Sequence, residues 1–488
     1  MSGVELSRVV AALREAGLLV SADDRLPARA EGITEDSRAV RAGTLFLAVR
    51  GAERDGHDFL GAAESAGAVA ALVDDASRTT LPSIVVRDTR RAAAVAAAVF
   101  HDHPARALRL VGVTGTNGKT TTVGMLRHLL DEPDARCASI GTLGVLIGSE
   151  GRELPGGSGL TTPGPVELQR VLRQLVDAGV TTVAMETSSH ALHQRRVEGL
   201  RFAAGVFTNL TRDHLDYHVT MEAYLAAKAL LIDALADDGV SIVNADDDAW
   251  GSLKPAPRTV RFGLDASADV RAANVEFTPR GSLWSLVCGS ERHDVALPLI
   301  GDFNIANALA AAAAAWALGM SPSDVAARLA SMPQVPGRLE IVSEQPTVLR
   351  DYAHTPDALE RAIAAVRPFV RGRLIAVFGC GGDRDRGKRP EMGRIAQEKA
   401  DLAIVTSDNP RTEEPERILD DVEAGMDGPH LRIESRRAAI ASALREAVEG
   451  DVILLAGKGH ETYQIRGTVK HPFDERAIVG ELIAGRES

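Results

Sequence analysis

A glycine-rich segment that follows a short apolar run constrains the fold of this chain more than any other feature. Residues 108–111, Leu-Arg-Leu-Val, lead into Gly112-Val-Thr-Gly-Thr-Asn-Gly-Lys-Thr120, and a helix-like pattern begins directly afterwards. A strand that enters a glycine-rich loop and then a helix directs backbone N–H groups and a positive helix end toward phosphate oxygens. Lys119 adds a charge for the β- and γ-phosphates, and the Thr120 hydroxyl is placed to bind Mg²⁺. The segment therefore predicts a nucleotide-phosphate site in an α/β domain.

The loop departs from the common phosphate-loop form at one position. That form has a glycine five residues before the glycine of the Gly-Lys pair. This chain has Val113 there and carries its glycine at Gly115. An ordinary glycine turn with a chance Lys-Thr pair is the alternative, but the flanking strand and helix patterns favour the phosphate loop.

The length of 488 residues suggests about three domains at roughly 100–200 residues each. Two stretches rich in turn-forming residues, 101–106 and 331–338, predict domain boundaries. The expected domains are 1–107, 108–337 and 338–488.

Charge and apolar patterning exclude several classes of protein. The formal net charge of −12 is unfavourable for general nucleic-acid binding. The N-terminus lacks a signal pattern, and the longest uncharged apolar run, 308–320, is shorter than the ~20 residues that span a bilayer, so it predicts a buried helix. The 3 cysteines include no Cys-x-x-Cys pair, which fits a reducing compartment. We expect a cytoplasmic protein without nucleic-acid or membrane partners.

Short apolar runs alternate with helix-like stretches in both the middle and the last segment. Polar or glycine-rich residues follow the runs, at Glu186, Asn209, Asn244, Asp351, Gly379, Ser407 and Gly457. This pattern is typical of parallel sheets, whose strand ends line one ligand crevice. It predicts an α/β fold with a central parallel-sheet phosphate-loop ATPase domain and a Rossmann-like C-terminal domain. In the first segment, residues 32–38 and 43–51 suggest short strands with turns, and pattern alone assigns that segment no function.

Of four residues singled out in the middle segment, Glu186, His214 and His218 have two interpretations each. Glu186 follows a strand and could ligate Mg²⁺ or simply begin a helix as a favoured carboxylate. His214 and His218 are four residues apart, which could suggest a zinc helix, although no Glu follows His214 as in metalloproteases. Hydrogen-bonded histidines are the alternative. By its pattern alone, Lys228 is a solvated lysine on an alanine-rich helix.

Two further groups of residues are ambiguous in the same way. Asn304 precedes the alanine-rich helix and could be its N-cap. Arginines on glycine- and proline-containing loops are suited to bidentate capture of a carboxylate or phosphate, and a solvated charge run is the alternative. These arginines are Arg384, Arg386, Arg389 and Arg411.

Seven motifs occur in a fixed order along essentially the whole chain. They are Gly115-Thr-Asn-Gly-Lys-Thr120, Met185-Glu-Thr-Ser-Ser-His190, Asn209-Leu-Thr-Arg-Asp-His214, Tyr224-Leu-Ala-Ala-Lys228, Gly301-Asp-Phe-Asn304, Pro336-Gly-Arg338 and Asp351-Tyr-Ala-His354. In this order they resemble the Mur ligase family, the ATP-dependent ligases of peptidoglycan synthesis. Asp408-Asn-Pro-Arg411 is similar to the run found in members that add meso-2,6-diaminopimelate to UDP-MurNAc-L-Ala-D-Glu through an acyl phosphate.

The resemblance implies roles that spacing does not supply. It implies two Mg²⁺ ions held by Thr120, Glu186, His214 and a Lys228 that CO₂ has converted to a carbamate (N6-carboxylysine), and it makes Lys119, Lys228 and His214 catalytic. ATP would contact Gly115, Thr116, Asn117, Gly118, Lys119, Thr120, Thr121, Asn304, Arg338 and Asp351. The UDP-linked dipeptide would contact Ser37, Thr161, Thr162, Ser188, Gln194 and Arg196. Diaminopimelate would contact Arg384, Asp408, Asn409, Arg411, Gly457 and Glu461. A monomer is expected.

Selection of diaminopimelate over lysine has a physical basis. The far end of diaminopimelate carries an ammonium and a carboxylate, so a bidentate arginine rewards the carboxylate and Glu461 can pair with the ammonium. A buried arginine facing lysine would be left unpaired. Alternatives are an L-lysine- or D-Ala-D-Ala-adding ligase, a folylpolyglutamate synthetase-like ligase, and, in a different class, a nucleotide-gated regulatory or binding protein.

Overall fold

The computed structural model describes residues 3–51, 54–155, 160–278 and 280–485. The chain divides into two compact units. The first unit contains Met1–Ala272, Leu286–His293 and Ala306–Arg328, and the second contains Ala273–Ser285, Asp294–Ile305 and Leu329–Ser488. Strands and helices alternate through both units, which confirms the α/β class. The bounds of the three expected domains remain a prediction.

The first part of the chain forms a small sheet in the strand order β2-β7-β6-β5-β4, and a separate β1-β3 ladder. Its strands are β1 (Val4–Glu5), β2 (Leu19–Ala22), β3 (Arg29–Ala30), β4 (Gly32–Thr34), β5 (Thr44–Leu47), β6 (Ala68–Val73) and β7 (Ser83–Val86). Its helices are α1 (Leu6–Glu15), α2 (Leu60–Ser65) and α3 (Thr89–Phe100). Leu13 of α1 and Val99 of α3 belong to one buried cluster with Leu45 of β5. The short strands expected within 32–38 and 43–51 are β4 and β5.

The middle part forms the sheet that carries the glycine-rich loop, in the order β11-β10-β9-β12-β8-β13-β14-β15-β16-β17-β18. Its strands are β8 (Arg109–Thr114), β9 (Arg136–Gly141), β10 (Gly144–Ile147), β11 (Arg152–Glu153), β12 (Val180–Glu186), β13 (Phe202–Phe207), β14 (Leu235–Asn244), β15 (Arg258–Gly263), β16 (Val270–Thr278), β17 (Gly281–Cys288) and β18 (Glu291–Leu297). Its helices are α4 (Lys119–Leu130), α5 (Pro165–Asp177), α6 (Ser189–His193), α7 (Leu215–His218), α8 (Met221–Asp233), α9 (Asp302–Ala317) and α10 (Pro322–Ala330).

Strand β8 lies at the point where the order in which the chain adds strands to this sheet reverses. It pairs in parallel with β12 on one side and with β13 on the other. The chain leaves β8 for β9, which lies beyond β12, and later continues on the opposite side with β13. Ligands of open α/β sheets bind at the carboxyl ends of strands at such a switch point. The fold therefore places the loop after β8, the end of β12 and the end of β13 at one edge.

Helix α9 contains residues 308–317 of the apolar run 308–320 that the sequence predicts to be a buried helix. All residues from Ala308 to Ala315 have no exposed surface, because alanines let the helix pack closely on every side. None of the helices in the described ranges is long and apolar enough to cross a membrane.

The last part of the chain forms a sheet in the order β19-β20-β24-β21-β22-β23, with a separate β25-β26 hairpin. Its strands are β19 (Glu340–Glu344), β20 (Thr347–Asp351), β21 (Leu374–Phe378), β22 (Leu402–Val405), β23 (Leu431–Arg432), β24 (Val452–Ala456), β25 (Tyr463–Arg466) and β26 (Val469–Pro472). Its helices are α11 (Pro356–Val366), α12 (Lys388–Lys399), α13 (Pro415–Glu423), α14 (Arg436–Glu446) and α15 (Glu475–Ala484). From β20 to β23 every neighbouring pair is parallel.

This last sheet is buried on both faces, because successive residues of its strands point to opposite sides. Val377 and Leu455 belong to one apolar cluster, and Phe378 and Leu454 belong to another. Parallel sheets covered on both faces have such continuous apolar strands. The loops that follow β20, β24, β21 and β22 therefore meet at one carboxyl edge, as the sequence predicts.

One backbone position between α7 and α8 is strained. Val219 has φ +68° and ψ −47°, and its side chain is 76% exposed. A β-branched residue in this region of backbone space is disfavoured, and the exposed side chain gains little by packing.

We expect the substitution Val219→Gly to stabilise the protein. Relief of the strain contributes about 1–2 kcal/mol, and the greater freedom of glycine in the unfolded chain costs about 0.5–1 kcal/mol. The net gain should raise the midpoint of urea unfolding. Val20→Gly is the control, because Val20 is also exposed but lies in β2 with an ordinary strand backbone, where glycine should destabilise. A fall of the midpoint in both variants would contradict the strain.

Candidate active site

The loop after β8 needs glycine at two positions because of its close contacts. Gly115 has φ +148°, and a Cβ added there would lie 1.9 Å from the Thr208 hydroxyl oxygen. Gly118 has φ +85°, and a Cβ there would lie 2.2 Å from Asn307 Oδ1. Val113 is buried inside β8, so the glycine missing from the common form is replaced by a strand residue. The loop enters α4 at Lys119.

Two lysines donate to the same carbonyl oxygen of this loop. The Nζ of Lys119 lies 2.9 Å from the Gly115 oxygen and 2.8 Å from the Thr116 oxygen. The Nζ of Lys228, from α8, lies 2.6 Å from the Gly115 oxygen and 4.3 Å from the centre of the Tyr224 ring. Both lysines are therefore held at the phosphate loop.

Lys228 is not the solvated lysine that its pattern alone indicates, since only 1% of it is exposed. Burial, with the nearby charge of Lys119, lowers the pKa of Lys228 well below its ordinary value. A buried ammonium is costly in a medium that solvates charge poorly. Burial therefore shifts this side chain toward its uncharged amine.

The side chains of Thr120 and Glu186 are hydrogen-bonded to each other at the carboxyl ends of the neighbouring strands β8 and β12. The Thr120 hydroxyl donates to Glu186 Oε1 at 3.0 Å, and the Thr142 N–H donates to the same oxygen at 2.8 Å. Glu186 is the last residue of β12, beside β8. The strand order thus brings together two of the four side chains implied as Mg²⁺ ligands, and both offer oxygen atoms.

His214 lies in a cluster of aromatic and histidine rings. Its ring centre lies 4.9 Å from that of His190 and 6.1 Å from that of Tyr224. Burial lowers the pKa of His214 and the neighbouring Lys119 adds to the shift, although Asp213 opposes it. His214 is therefore neutral at physiological pH, which is the form that binds metals. The sequence reasoning missed the contact with His190, which comes from another helix.

The zinc interpretation of His214 and His218 finds no support. His218 Nε2 lies 3.0 Å from the Ser189 hydroxyl oxygen. No three His, Cys, Asp or Glu side chains in the described ranges converge as a metal site. Any metal here would therefore need threonine, the phosphates or a modified lysine as additional ligands.

Four of the six residues implied for the UDP-linked dipeptide form one hydrogen-bonded network next to Glu186. The Thr162 hydroxyl donates to the Glu186 carbonyl oxygen at 2.9 Å and lies 3.3 Å from the Ser188 hydroxyl oxygen. Arg196 donates to the Thr162 carbonyl oxygen at 2.8 Å and to Gln194 Oε1 at 2.7 Å.

The other two protein residues that are implied to bind the dipeptide, Thr161 and Ser37, have weaker connections to this network. Thr161 is connected to this region through the Thr142 hydroxyl at 3.4 Å. Ser37 lies in the turn capped by Asp36, after β4. In the part of the chain that the structure describes, no hydrogen bond joins Ser37 to the network, so only its place beside the N-terminal sheet supports its role.

Glu35 is an unforeseen residue beside this network. A Cβ on Gly164 would lie 2.4 Å from Glu35 Oε1, so the N-terminal sheet and the start of α5 are close there. Burial raises the pKa of Glu35 to about 7; the charge of Arg196 opposes the shift, and the charges of Glu167 and Asp36 add to it. A buried acid next to residues implied for an acidic substrate has no motif that would reveal it.

The resemblance implies that three residues of the second unit contact ATP: Asn304, Arg338 and Asp351. Each of them has a contact with a neighbouring residue. The Arg338 guanidinium lies 4.8 Å from the centre of the Tyr352 ring, and Asp351 accepts from the Leu339 N–H at 2.8 Å. Burial raises the pKa of Asp351 to about 6, against the charge of Arg338. Asn304 is the third residue of α9 rather than its N-cap, and its amide donates to the Ile300 carbonyl oxygen at 2.8 Å. Their contact with ATP remains a prediction.

Residues from two strand ends of the second unit form the expected amino-acid site. Asp408 and Asn409 follow β22, and Gly457 and Glu461 follow β24. Asn409 Nδ2 donates to Glu461 Oε2 at 2.8 Å, and a Cβ on Gly457 would lie 2.6 Å from Asp408 Oδ2. The structure therefore brings all four together.

Arg411 and Arg384 lie beside this cluster. Arg411 Nη1 donates to the Gly382 carbonyl oxygen at 2.8 Å, and no carboxylate in the described ranges forms an ion pair with it. A Cβ on Gly381 would lie 2.8 Å from Arg411 Nη1 and 3.7 Å from Arg384 Cγ, so the two arginines flank one glycine. Arg384 is exposed and lines an open cavity of about 740 Å³. Both guanidinium groups remain available to an anion.

Two other arginines of the same loops have carboxylate partners. The Arg389 side chain has no exposed surface and is paired with Glu413 at 2.7 Å and Asp421 at 2.8 Å. These contacts favour a structural role for Arg389. Arg386 is exposed and paired with the same Asp421 at 3.0 Å, so ligand capture by Arg386 stays a prediction.

Lys458 was not singled out by the sequence reasoning, although it stands between two glycines at a strand end. It has no exposed surface, and its Nζ lies 3.1 Å from Asn409 Oδ1 and 3.1 Å from Glu461 Oε2. The glycines around it are the signal that could have revealed it, because they allow a loop to fold closely over a buried charge.

Glu35→Gln should stabilise the protein at pH 8 and have little effect at pH 5. Because the pKa of Glu35 is about 7 in the folded protein, the folded state holds this proton up to about pH 7, whereas the unfolded chain releases it near the ordinary glutamate pKa of 4.5. Stability from this group therefore falls as the pH rises from about 4.5 to 7, since the folded state must then carry a buried carboxylate. We expect a gain of about 1–3 kcal/mol at pH 8, measured by urea unfolding. The exposed Glu15→Gln should change neither value, and a pH-independent effect of Glu35→Gln would contradict the assignment.

Comparisons with known proteins extend over the whole chain. The sequence matches profiles described as "Mur ligase family, catalytic domain" over residues 29–111, "Mur ligase middle domain" over 113–315 and "Mur ligase, glutamate ligase domain" over 337–459.

Curated relatives and a solved structure agree with these profiles. The chain is 46% identical over 468 residues to the UDP-N-acetylmuramoyl-L-alanyl-D-glutamate–2,6-diaminopimelate ligase of Gloeobacter violaceus, with 94% of each chain covered. It is 46% identical over 480 residues to the enzyme of that name from Geobacter metallireducens, covering 92% of this chain and 93% of the relative. A solved structure of a ligase with this name matches with a TM-score of 0.69 at 33% identity over 100% of both chains. Since profile, sequence and fold agree from the N-terminal sheet to the C-terminal one, the chain belongs to the Mur ligase family.

Proposed function

We propose that this chain joins meso-2,6-diaminopimelate to UDP-MurNAc-L-Ala-D-Glu, with conversion of ATP to ADP and phosphate, in peptidoglycan precursor synthesis. The chain is an ATP-dependent ligase that forms amide bonds, and the relatives reported above carry the name of this reaction. One observation of the structure carries the choice of amino acid: Arg411 is without a carboxylate partner among the described residues and lies beside the Asn409–Glu461 pair.

In the first step the D-glutamyl γ-carboxylate attacks the γ-phosphorus of ATP. A bond forms between the carboxylate oxygen and phosphorus, the bond to the β,γ-bridging oxygen breaks, and ADP leaves. The Thr116 and Asn117 N–H groups are turned toward Asn209, so the N–H groups at the start of α4 would be the ones that contact phosphate. The Lys119 ammonium would offset the negative charge on the transferred group.

The donor set at this edge fits Mg²⁺. Thr120 and Glu186 offer hard oxygen atoms 3.0 Å apart, which suit this ion, and His214 is in its neutral form. When bound, Mg²⁺ would neutralise charge on the phosphates and hold them in line with the acceptor.

Lys228 is suited to carbamylation. Its buried side chain favours the uncharged amine, which is the form that attacks CO₂; a bond from Nζ to the carbon forms, a proton is released, and the product is a carbamate. The change replaces a cation by an anion next to Lys119 and supplies carboxylate-like oxygens, which are the ligands that Mg²⁺ prefers.

The network next to Glu186 is suited to an acidic peptide. Arg196 is held by Thr162 and Gln194, and the protonated form of the neighbouring Glu35 is neutral, so it leaves the charge of Arg196 unbalanced. A carboxylate of the UDP-linked dipeptide would supply the missing negative charge. Ser37 and Thr161 would extend this contact toward the nucleotide end and the muramyl end of the substrate.

In the second step the amine of diaminopimelate attacks the carbonyl carbon of the acyl phosphate. The C–N bond forms, the C–O bond to phosphate breaks, and phosphate leaves with the proton balance completed by loss of a proton from the amine. Arg411 and Arg384 would bind the distal carboxylate, and Glu461 would accept from the distal ammonium. These contacts select the amino acid because lysine lacks that carboxylate.

Phosphate release with the UDP-linked dipeptide, Mg²⁺ and ATP tests the function. We expect rapid release with meso-diaminopimelate, slow release with L-lysine and little release without an acceptor. Preference for L-lysine, for D-Ala-D-Ala with a UDP-tripeptide, or for glutamate with a folate would identify a different ligase. ATP hydrolysis that no acceptor accelerates would favour a nucleotide-gated regulatory protein.

Arg411→Ala should impair use of meso-diaminopimelate far more than binding of ATP or the UDP-linked dipeptide. Loss of one partner of a buried charge pair costs roughly 2–4 kcal/mol, or on the order of 30- to 1,000-fold in kcat/KM. L-lysine should remain poor and lose little further.

Arg394→Ala is the charge-matched control for this variant, because Arg394 is exposed and pairs with Glu398 on its own helix. It should leave kcat/KM for both amino acids unchanged. An equal fall for diaminopimelate and lysine in Arg411→Ala would mean that Arg411 only supports its loop.

A further inference from the structure

Lys458 carries a buried positive charge at the centre of the amino-acid site. It lies on the loop after β24, and its Nζ contacts residues of two loops: Asn409 Oδ1 at 3.1 Å, Glu461 Oε2 at 3.1 Å and Asp408 Oδ1 at 3.7 Å. Its side chain has no exposed surface. An ammonium has three hydrogens to donate, and three protein oxygens surround this one, so Lys458 is committed to the protein rather than to a ligand.

The contacts of Lys458 fix the orientation of its neighbours. Asn409 Oδ1 accepts from Lys458 and from the Ile465 N–H at 2.9 Å. Its amide nitrogen is thereby directed to Glu461 Oε2, the same oxygen that Lys458 contacts. Two donors hold one oxygen of the Glu461 carboxylate, and the other oxygen, Oε1, is left for a third donor.

Charge balance gives this arrangement a consequence for selectivity. Asp408 and Glu461 bring two negative charges to the site, and Lys458 compensates one of them. Without Lys458 the two carboxylates would repel each other and attract any cationic side chain. An end group with both an ammonium and a carboxylate would gain less than a plain ammonium, because its carboxylate would face the same negative field.

We infer that Lys458 is a positioning residue that holds the Glu461 carboxylate and sets the preference for an amino acid with a zwitterionic far end over one with a cationic far end. This inference rests on the proposed function, since it assumes that Glu461 receives the distal ammonium. Lys458 acts through Glu461 and does not touch the substrate.

The test is the substitution Lys458→Met, measured by phosphate release with each amino acid. We expect kcat/KM for meso-diaminopimelate to fall by about 30-fold or more, mostly through KM, the lower end for removing one partner of a buried charge pair. The KM values for ATP and the UDP-linked dipeptide should stay within about 2-fold, and the ratio of diaminopimelate to L-lysine use should fall. Lys470→Met is the control, because Lys470 lies over the same Tyr463 ring as Lys458 but is exposed, and it should change nothing.

A double variant keeps the inference testable if Lys458→Met does not fold, because it removes one buried charge of each sign. Since Lys458 acts through Glu461, Lys458→Met/Glu461→Gln should have the same KM for diaminopimelate as Glu461→Gln alone. A further 30-fold loss in the double variant, or unchanged selectivity in Lys458→Met, would overturn the inference. Failure of the wild-type enzyme to use diaminopimelate would instead overturn the proposed function.

Discussion

The carbonyl oxygen of Gly115 accepts hydrogen bonds from two lysines that are far apart in the chain, and the rest of the candidate site depends on this meeting. Two ammonium groups on one carbonyl would repel each other strongly in a buried place. The conflict is relieved when one lysine is uncharged and when anions are bound. Burial lowers the pKa of Lys228 well below its ordinary value and so favours its uncharged form, and Lys119 lies at the start of α4, where phosphate would bind. A site that is unfavourable when empty is thus favourable toward nucleotide.

The amino-acid site of the second unit is organised by the same rule, with its charges reversed. Asp408 and Glu461 are held together by the buried Lys458, and Arg411 is held by carbonyl oxygens instead of a carboxylate. Lys458 is neutralised within the protein, and Arg411 would be left for the substrate under the proposed function. Arg389, which has carboxylates on two sides, shows what a purely structural arginine looks like in the same loops.

The sequence was sufficient to predict those parts of the site that follow from strand order. Thr120 and Glu186 end up 3.0 Å apart because they follow neighbouring parallel strands, and apolar runs reveal such strands. Lys228 was placed at the site only by the resemblance, since its burial depends on the packing of α8 against β8. Glu35 and Lys458 escaped prediction for a similar reason: each is buried by residues distant in sequence. Pattern alone left the role of Arg389 open because its carboxylate partners lie on the next helix and in the turn before it.

The most direct test of this account is the state of Lys228 in the working enzyme. The protein is equilibrated with ¹³C-bicarbonate, and carbamate carbon is observed by NMR. The account predicts a carbamate resonance that is present in the wild type, retained in Lys119→Ala and lost in Lys228→Ala, because the amine of Lys228 is uncharged and able to attack CO₂. Full activity of a wild-type sample that shows no carbamate resonance, or a resonance that persists in Lys228→Ala, would contradict it.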